Sequence, residues 1–430
     1  MTKQITAPQP KRVLECQIEK LVSGGNGLGR VNGKVILVGN ALPGERVQVS
    51  VLEEKKDYLE AETLQVLEPS TQRIEPVEDH FYSCSPWQIM TLDCEQHWKT
   101  EIARELFNRF CKLPLEFTIH PLTEHQRFSY RNKLEFNFMM HQGTLSFAML
   151  QRGTHNLQPV CGCLLGESRL NQMAHNILEW LQARKIEVNQ LRKLIVRTCT
   201  GGAIQASLFI HSSHFPQAQS LFEKTGLAGL WIYEETTNRK HPRLIKQLGI
   251  PYLEEVLRHK VLRYGDQAFF QINVFALNAV LEDILPFVRD EHLVDYYGGV
   301  GALGIGLADA VRSCMVVESD RNAVAFASTN IALNHLTHYQ ALHGRSETLP
   351  NHIEGDKVIL VDPPRAGLDA GFCNEILKKL PKRLIYLSCN PSTCTRDVSR
   401  LLGAYRPVFW KLYNFFPATP HFETLLVLER

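Results

Sequence analysis

Short apolar runs separated by turn residues open the chain. VLECQIEKL, GKVILVGN and ERVQVSVLEEKK are rich in Val, Ile and Leu, with GGNGLGR and ALPG between them. Such runs predict strands, and several within about 60 residues predict a small β-barrel of the oligonucleotide-binding type. From residue 69 to 255 the period is mixed. HWKTEIARELFNRFCKL has apolar residues at helical spacing, whereas RNKLEFNFMM, GTLSFAML, KLIVRTC and IQASLFIH predict strands. From about residue 256 strands alternate with helices. HLVDYYGGVGALGIGLADAV is a strand, a glycine turn and a helix, and CMVVESD is a strand ending in an acid. RNAVAFASTNIALN predicts a helix with Val324, Ala327 and Ile331 on one face. KVILVDPPR and RLIYLSCNPS are apolar strands that end in unusual turns. The alternation predicts a doubly wound parallel sheet whose ligands sit beyond the carboxyl ends of its strands. The expected organisation is a barrel over residues 11–68, a central α/β (or α+β) domain over 69–255, and a doubly wound Rossmann-like domain over 256–430. No internal repeat or low-complexity tract interrupts it.

Composition narrows the class. Of 430 residues, 44% are hydrophobic and 21% charged, which excludes wholesale disorder, a collagen-like fibre and a coiled-coil rod. No apolar run approaches the roughly 18 residues that span a membrane. The start, MTKQITAPQPKR, is polar with two prolines. It reads as a loose leader without the apolar core of a secretory signal, so a cytoplasmic, membrane-free protein is expected. Its eleven cysteines then read as thiols, metal ligands or catalytic groups. The net charge of +2 does not announce a nucleic-acid binder. Residues 1–70 hold nine Lys/Arg against nine Asp/Glu, so charge leaves the barrel open between RNA binding and a structural cap.

Candidate chemistry falls at the strand ends. Asp295 to Gly301 reads DYYGGVG, and Glu318 ends the next strand seventeen residues after Gly301. Glycines admit a ligand to the backbone and a strand-end acid can take two ribose hydroxyls, which suits an adenosine-type cofactor. A tight turn with a solvated acid is the alternative. VDPPR, with Asp362 to Arg365, can hold a flat ring against a rigid wall or be a plain turn. Cys389 in LSCNPSTCTRD ends an apolar strand. A thiol there is placed as a nucleophile, and the helix that follows is expected to lower its pKa; the alternative is an inert buried cysteine. Cys394, five residues on, reads as structural. Glu423 opens the strand TLLVL after PATPHF. Buried there it would have a raised pKa and suit a general base; on an edge strand it would face water. Gln271 in FFQIN carries almost no signal alone.

Taken together, FFQIN, DYYGGVG, Glu318, DPPRAGLD, SCNP and PHFET resemble the S-adenosylmethionine-dependent RNA uracil-C5 methyltransferases, in order and spacing, over essentially the whole chain. Residues 11–68 resemble the TRAM domain, an oligonucleotide-binding barrel that favours the branch acting on 23S ribosomal RNA over the tRNA branch. The resemblance implies that Cys389 is the nucleophile and Glu423 the general base. It also implies that Gln271, Tyr297, Glu318 and Asp362 contact S-adenosylmethionine, with Glu318 on the ribose. RNA is then the partner, 23S rRNA preferred and tRNA the alternative, and a monomer is expected. A non-catalytic RNA-binding factor and an amino-methyltransferase are the rivals; intact Cys389 and Glu423 argue against the first, and the SCNP cysteine, which amine methylation does not need, argues against the second.

Many relatives ligate an iron–sulfur cluster through four cysteines. Here the matching positions hold Glu78, Cys84, Trp87 and Cys163. Two thiolates do not make a four-thiolate set, so the resemblance implies a lost cluster with the pocket repacked around Trp87. Cys94 and Cys161 could complete a different set, and no metal ligand is assigned.

Overall fold

The computed structural model describes residues 12–235 and 241–430. The polar leader expected over residues 1–10 lies outside the described residues. The chain forms two compact units: one runs to Glu105 and includes Phe416–His421, and the other comprises Leu106–Phe415 with Phe422–Arg430.

In the first unit β1 (Val13–Leu21), β2 (Gly27–Val31), β3 (Lys34–Gly39), β4 (Arg46–Glu54) and β5 (Tyr58–Glu68) close a barrel in the order β1-β2-β3-β5-β4. Alternate residues point inward, so Ile18, Ile36, Val38, Val47, Val49 and Leu59 make its core. The three apolar runs are β1, β3 and β4. The stretch GLGRV, expected as turn, is β2. A Cβ on Gly29 would lie 2.4 Å from the Gln17 carbonyl oxygen, and one on Gly27 2.8 Å from Ile18 Cγ2. These glycines serve a close strand-to-strand approach. After the barrel come α1 (Phe81–Cys84) and α2 (Leu92–Cys111). Near the start of α2, Glu95 and Lys99 form a fully buried ion pair at 2.7 Å. Glu95 accepts the Ala418 amide at 3.0 Å, and Lys99 Nζ donates to the Phe416 carbonyl at 3.2 Å.

The second unit holds two seven-stranded sheets. The first contains β6 (Lys133–His141), β7 (Thr144–Leu150), β8 (Leu157–Val160), β9 (Leu191–Thr198), β10 (Ile204–Ile210), β11 (Gly229–Glu234) and β12 (Arg243–Gly249), in the order β12-β11-β10-β9-β6-β7-β8. With it go α3 (Ser168–Ala183), which buries Leu170, Ala174, Ile177 and Leu181, and α4 (Ala218–Thr225). A hairpin follows, β13 (Leu253–Leu257) and β14 (Lys260–Tyr264).

The second sheet is the doubly wound one. Its elements are α5 (Val274–Ile284), β15 (His292–Tyr296), α6 (Ala302–Gly306), β16 (Ser313–Glu318), α7 (Arg321–Leu333), β17 (Tyr339–His343), β18 (Val358–Val361), α8 (Ala370–Lys379), β19 (Arg383–Ser388), α9 (Pro391–Leu401), β20 (Arg406–Tyr413) and β21 (Glu423–Glu429). The order is β17-β16-β15-β18-β19-β21-β20, with the first five strands parallel and β21 antiparallel to both neighbours. The order reverses between β15 and β18, where such sheets bind ligands. The inward face of α7 differs from the expected one. Ala323, Ala327 and Asn330 are buried, whereas Val324 and Ile331 are only half-buried. Asn330 turns inward because its amide serves backbone: Oδ1 accepts the Arg263 amide at 2.7 Å, and Nδ2 donates to the Arg263 and Val300 carbonyls at 3.0 Å.

Candidate active site

Three strand termini meet at one edge of the second sheet. β18 delivers Asp362 and the two prolines, β19 delivers Cys389, and β21 begins with Glu423. The antiparallel register pairs Ser388 with Thr424. Cys389, one residue further, is thereby brought alongside Glu423, one residue earlier. β21 lies between β19 and β20, so Glu423 does not face water from an edge; it is 2% exposed.

The turns that follow Asp362 and Cys389 are tied together. Asn390 caps α9, its Oδ1 accepting the Ser392 amide at 3.1 Å, with Pro391 in the first turn. Its Nδ2 donates to the Arg365 carbonyl at 3.0 Å, and Thr393 Oγ1 donates to the same oxygen at 3.2 Å. Below them, the fully buried Asp397 accepts the Leu368 amide at 2.7 Å and the Tyr386 hydroxyl at 3.0 Å. Cys394 is buried inside α9, as expected of a structural cysteine.

Charge at this edge corrects one expectation. Burial, then the Glu423 and Asp362 carboxylates, push the Cys389 thiol up to about 12, with Arg365 opposing. The helix was expected to lower it. The Ser392 amide is already taken by Asn390, and burial with two acids prevails over what remains of the helix terminus. Burial, with Asp362 adding to it, also holds Glu423 well above the usual carboxylate range, Arg365 again opposing. Its Oε2 is buried without a hydrogen-bond partner. Asp362 is raised to about 7 by burial, partly offset by a hydrogen bond from Gln271 Nε2 at 3.3 Å.

Gln271 is buried and its segment is pinned. Asn132 donates to the Gln271 carbonyl through Nδ2 and to the Ile272 carbonyl through its amide, both at 3.1 Å. Upstream, the buried Arg197 Nη1 donates to the carbonyls of Gly265, Asp266 and Ala268 at 2.8–3.1 Å. Downstream, Asn273 caps α5 and donates to the Phe415 carbonyl at 3.2 Å. At the end of β15, Tyr297 adopts a left-handed φ of +62°, which a non-glycine residue takes only at a cost. A Cβ on Gly298 would lie 2.6 Å from Val316 Cγ1, so the loop passes against β16 with no side chain between. Glu318 ties that loop to its own strand end. Its Oε2 accepts the Gly299 amide at 3.1 Å, and Oε1 accepts the Asp320 amide at 2.8 Å.

Two residues that the sequence reading gave no role belong to this edge. Arg365 is the cation whose field opposes the acids at Cys389 and Glu423. Asp295, fully buried in β15, accepts the Gly304 amide at 2.9 Å and leaves Oδ1 without a partner; burial raises it to about 7. The readable signal was an acid inside an apolar strand. The glycine turn at Gly298, the strand-end Glu318, the buried Gln271 and Asp362, and this unpaired oxygen fit an adenosine-type cofactor beyond β15 and β16.

The cysteines weighed as metal ligands do not gather as a set of four. Cys84 ends α1, half-buried, and Cys163 is buried, its amide donating to Asn171 Oδ1 at 2.9 Å. Cys94 is buried on α2, its thiol pushed by burial to about 11, and Cys161 is exposed. Neither of these two belongs to a metal-capable group among the described residues. Trp87 is buried, donating through its amide to the Ala418 carbonyl and through Nε1 to the Gly25 carbonyl at 3.2 Å.

Among the described residues, no helix is long and apolar enough to cross a membrane. Residues 99–430 match the family model described as tRNA (uracil-5-)-methyltransferase, and residues 9–64 match the TRAM domain. An uncharacterized RNA methyltransferase of Thermosynechococcus vestitus is 28% identical, with 98% of each chain covered. One of Halalkalibacterium halodurans is 29% identical over the full length of both chains. Among solved structures, the tRNA (uracil-54, C5)-methyltransferase of Pyrococcus abyssi, in complex with S-adenosyl-L-homocysteine, superposes with a TM-score of 0.78 at 21% identity, covering 96% of this chain and 100% of its own.

Proposed function

Because this chain belongs to the tRNA (uracil-5-)-methyltransferase family, we propose that it methylates C5 of a uridine in 23S ribosomal RNA through a covalent bond between Cys389 and the ring. That it is an S-adenosylmethionine-dependent RNA uracil-5 methyltransferase follows from the family. Its substrate and intermediate, and the residue roles below, are our reading, as are its action in the cytoplasm and as a monomer and the division at residues 11–68, 69–255 and 256–430.

S-adenosylmethionine supplies an electrophilic methyl group when bound. Gln271, Tyr297, Glu318 and Asp362 would hold it, with Glu318 at the ribose. Uracil C5 is a weak nucleophile. The Cys389 thiol gives its proton to solvent and its sulfur adds at C6, so electron density passes to C5 as an enolate. After methylation C5 carries both a proton and a methyl group. Glu423 takes the proton, the C5=C6 double bond reforms and sulfur leaves. Arg365 keeps its positive charge near both groups while negative charge passes between them. The target base must leave its stack to reach a thiol at this strand edge, which favours loop or single-stranded RNA.

The observation that carries this reading is the β19–β21 register, which sets Cys389 beside a buried carboxylate with an unpaired oxygen. RNA bearing 5-fluorouridine at the target should trap an adduct at Cys389, because fluorine cannot leave as a proton. Cys389→Ala should lose methyl transfer while keeping S-adenosyl-L-homocysteine binding. A fully active Cys389→Ala enzyme would remove the mechanism. The second reading, tRNA as substrate, is favoured by the family description and by the likeness to a solved tRNA enzyme. Mapping 5-methyluridine over rRNA and tRNA, with and without the protein, separates the two.

A further inference from the structure

Glu78, His80 and Cys84 lie outside the catalytic edge and have no part in the reaction above. The sequence reading assigned them no metal. We propose that they form a mononuclear site for a zinc-type divalent transition ion.

Local backbone brings the donors together. His80 and Cys84 are four residues apart, flanking and ending the single turn of α1, so one helical turn sets both on one face. Glu78 stands at the entrance of that turn, its carbonyl accepting the Phe81 amide at 3.1 Å. The side chains converge: Glu78 Oε1 is 3.4 Å from His80 Nε2, and Glu78 Oε2 is 3.8 Å from Cys84 Sγ. All three donor atoms lie within 4.8 Å of one another. A tetrahedral ion bound at about 2.0 Å to N or O and about 2.3 Å to S separates its ligands by roughly 3.3–3.8 Å. The two measured separations, one to each oxygen of the Glu78 carboxylate, are of that size.

The surroundings orient the donors as a metal's outer ligands do. Gln88 is buried and accepts the Val77 amide at 3.0 Å through Oε1. Its Nε2 then donates to Glu78 Oε2 at 2.9 Å and to Ser85 Oγ at 2.6 Å. Ser85 is fully buried, with Oγ 2.9 Å from Cys84 Sγ. A carboxylate, an imidazole and one thiolate make a borderline donor set that suits zinc. An iron–sulfur cluster takes four thiolates, and this trio offers one. A four-residue helix is also too short to persist on its own propensity, and an ion across its ends would fix it.

The full-length chain, stripped with a chelator and reloaded with zinc, should retain about one zinc per chain after desalting, with no acid-labile sulfide. Cobalt(II) in its place should give intense tetrahedral d–d bands and a thiolate-to-cobalt charge-transfer band. His80→Gln and Cys84→Ser should each weaken zinc binding at least about tenfold, and Gln88→Ala about tenfold; Cys94→Ser and Cys161→Ser should leave it unchanged. Absence of a charge-transfer band in the wild-type chain would overturn the site whatever the variants do, since it needs no mutant to fold. So would zinc binding unaltered in Cys84→Ser, or iron and sulfide found in equal amounts.

Discussion

A single proton separates the proposed roles of the two reacting residues. If Glu423 removes the C5 proton, Glu423→Gln should still permit sulfur addition and methylation, but not release. The variant should accumulate a methylated RNA–protein adduct on ordinary RNA, seen as a retarded band carrying methyl label on a denaturing gel. Normal turnover, or inactivity without a trapped species, would assign the base elsewhere. The thiol raised to about 12 makes a second prediction. Without RNA, Cys389 should alkylate with iodoacetamide more slowly at pH 8 than an exposed cysteine, because few molecules hold thiolate there. Asp295 gives a third. Its folded pKa of about 7 lies above its usual 3.8, so the folded state binds that proton more tightly than the unfolded one. This stabilisation is full below about pH 4 and is lost as pH climbs to about 7, by up to about 4 kcal/mol. Asp295→Asn should flatten that part of the stability–pH curve in urea melts; an unchanged slope would place the titration on another group. Of these features, the strand-end positions of Cys389 and Glu423 were legible because both stand in motifs. The raised thiol was not, because it depends on Glu423 and Asp362 approaching from other strands.

Elements followed the sequence wherever hydrophobic period alone decided them. β1, β3 and β4 in the barrel, and β6, β7, β9 and β10 in the first large sheet, stand where their apolar runs are. The failures have local causes. β2 was masked by Gly27 and Gly29, which read as turn yet exist so that β1 can approach. The α7 face was displaced because Asn330 satisfies backbone on β14, a partner that no helical period contains. Gly29→Ala tests the first cause. Its Cβ would meet a backbone oxygen, which cannot swing aside, so the barrel should lose stability by more than the few tenths of a kcal/mol of an ordinary surface change. Asn390 links element to site. Asn390→Ala removes the cap of α9 at about 1 kcal/mol and also frees the Arg365 turn. Methyl transfer should therefore fall further than thermal stability suggests, whereas a cap with no other role would move both together.

At the scale of the whole chain, the boundaries of the compact units do not follow the linear order of domains. Phe416–His421 belongs to the first unit, although Phe415 before it and Phe422 after it belong to the second. Phe416 and Ala418, shortly ahead of Glu423, therefore take partners from the chain's first hundred residues. Ala418 is held on both sides, its amide by Glu95 and its carbonyl by the Trp87 amide at 3.0 Å, while Phe416 receives Lys99. No period or motif could show this, because a loop of prolines and small residues carries no pattern that names a helix more than three hundred residues away. The buried Glu95–Lys99 pair makes the arrangement testable. Lys99→Met leaves a carboxylate buried without its cation, which costs about 3–5 kcal/mol. Held below its lowered melting temperature, the folded variant should bind S-adenosyl-L-homocysteine as before, since the proposed cofactor residues Gln271, Glu318 and Asp362 are untouched. Its Glu423 should be less firmly placed, because the chain leading to it has lost an anchor. The expected signature is slow release: the methylated adduct of Glu423→Gln should appear here too, more weakly, at temperatures where the protein is fully folded. Cofactor binding and turnover that fall in parallel would instead show that Lys99 does no more than stabilise the fold.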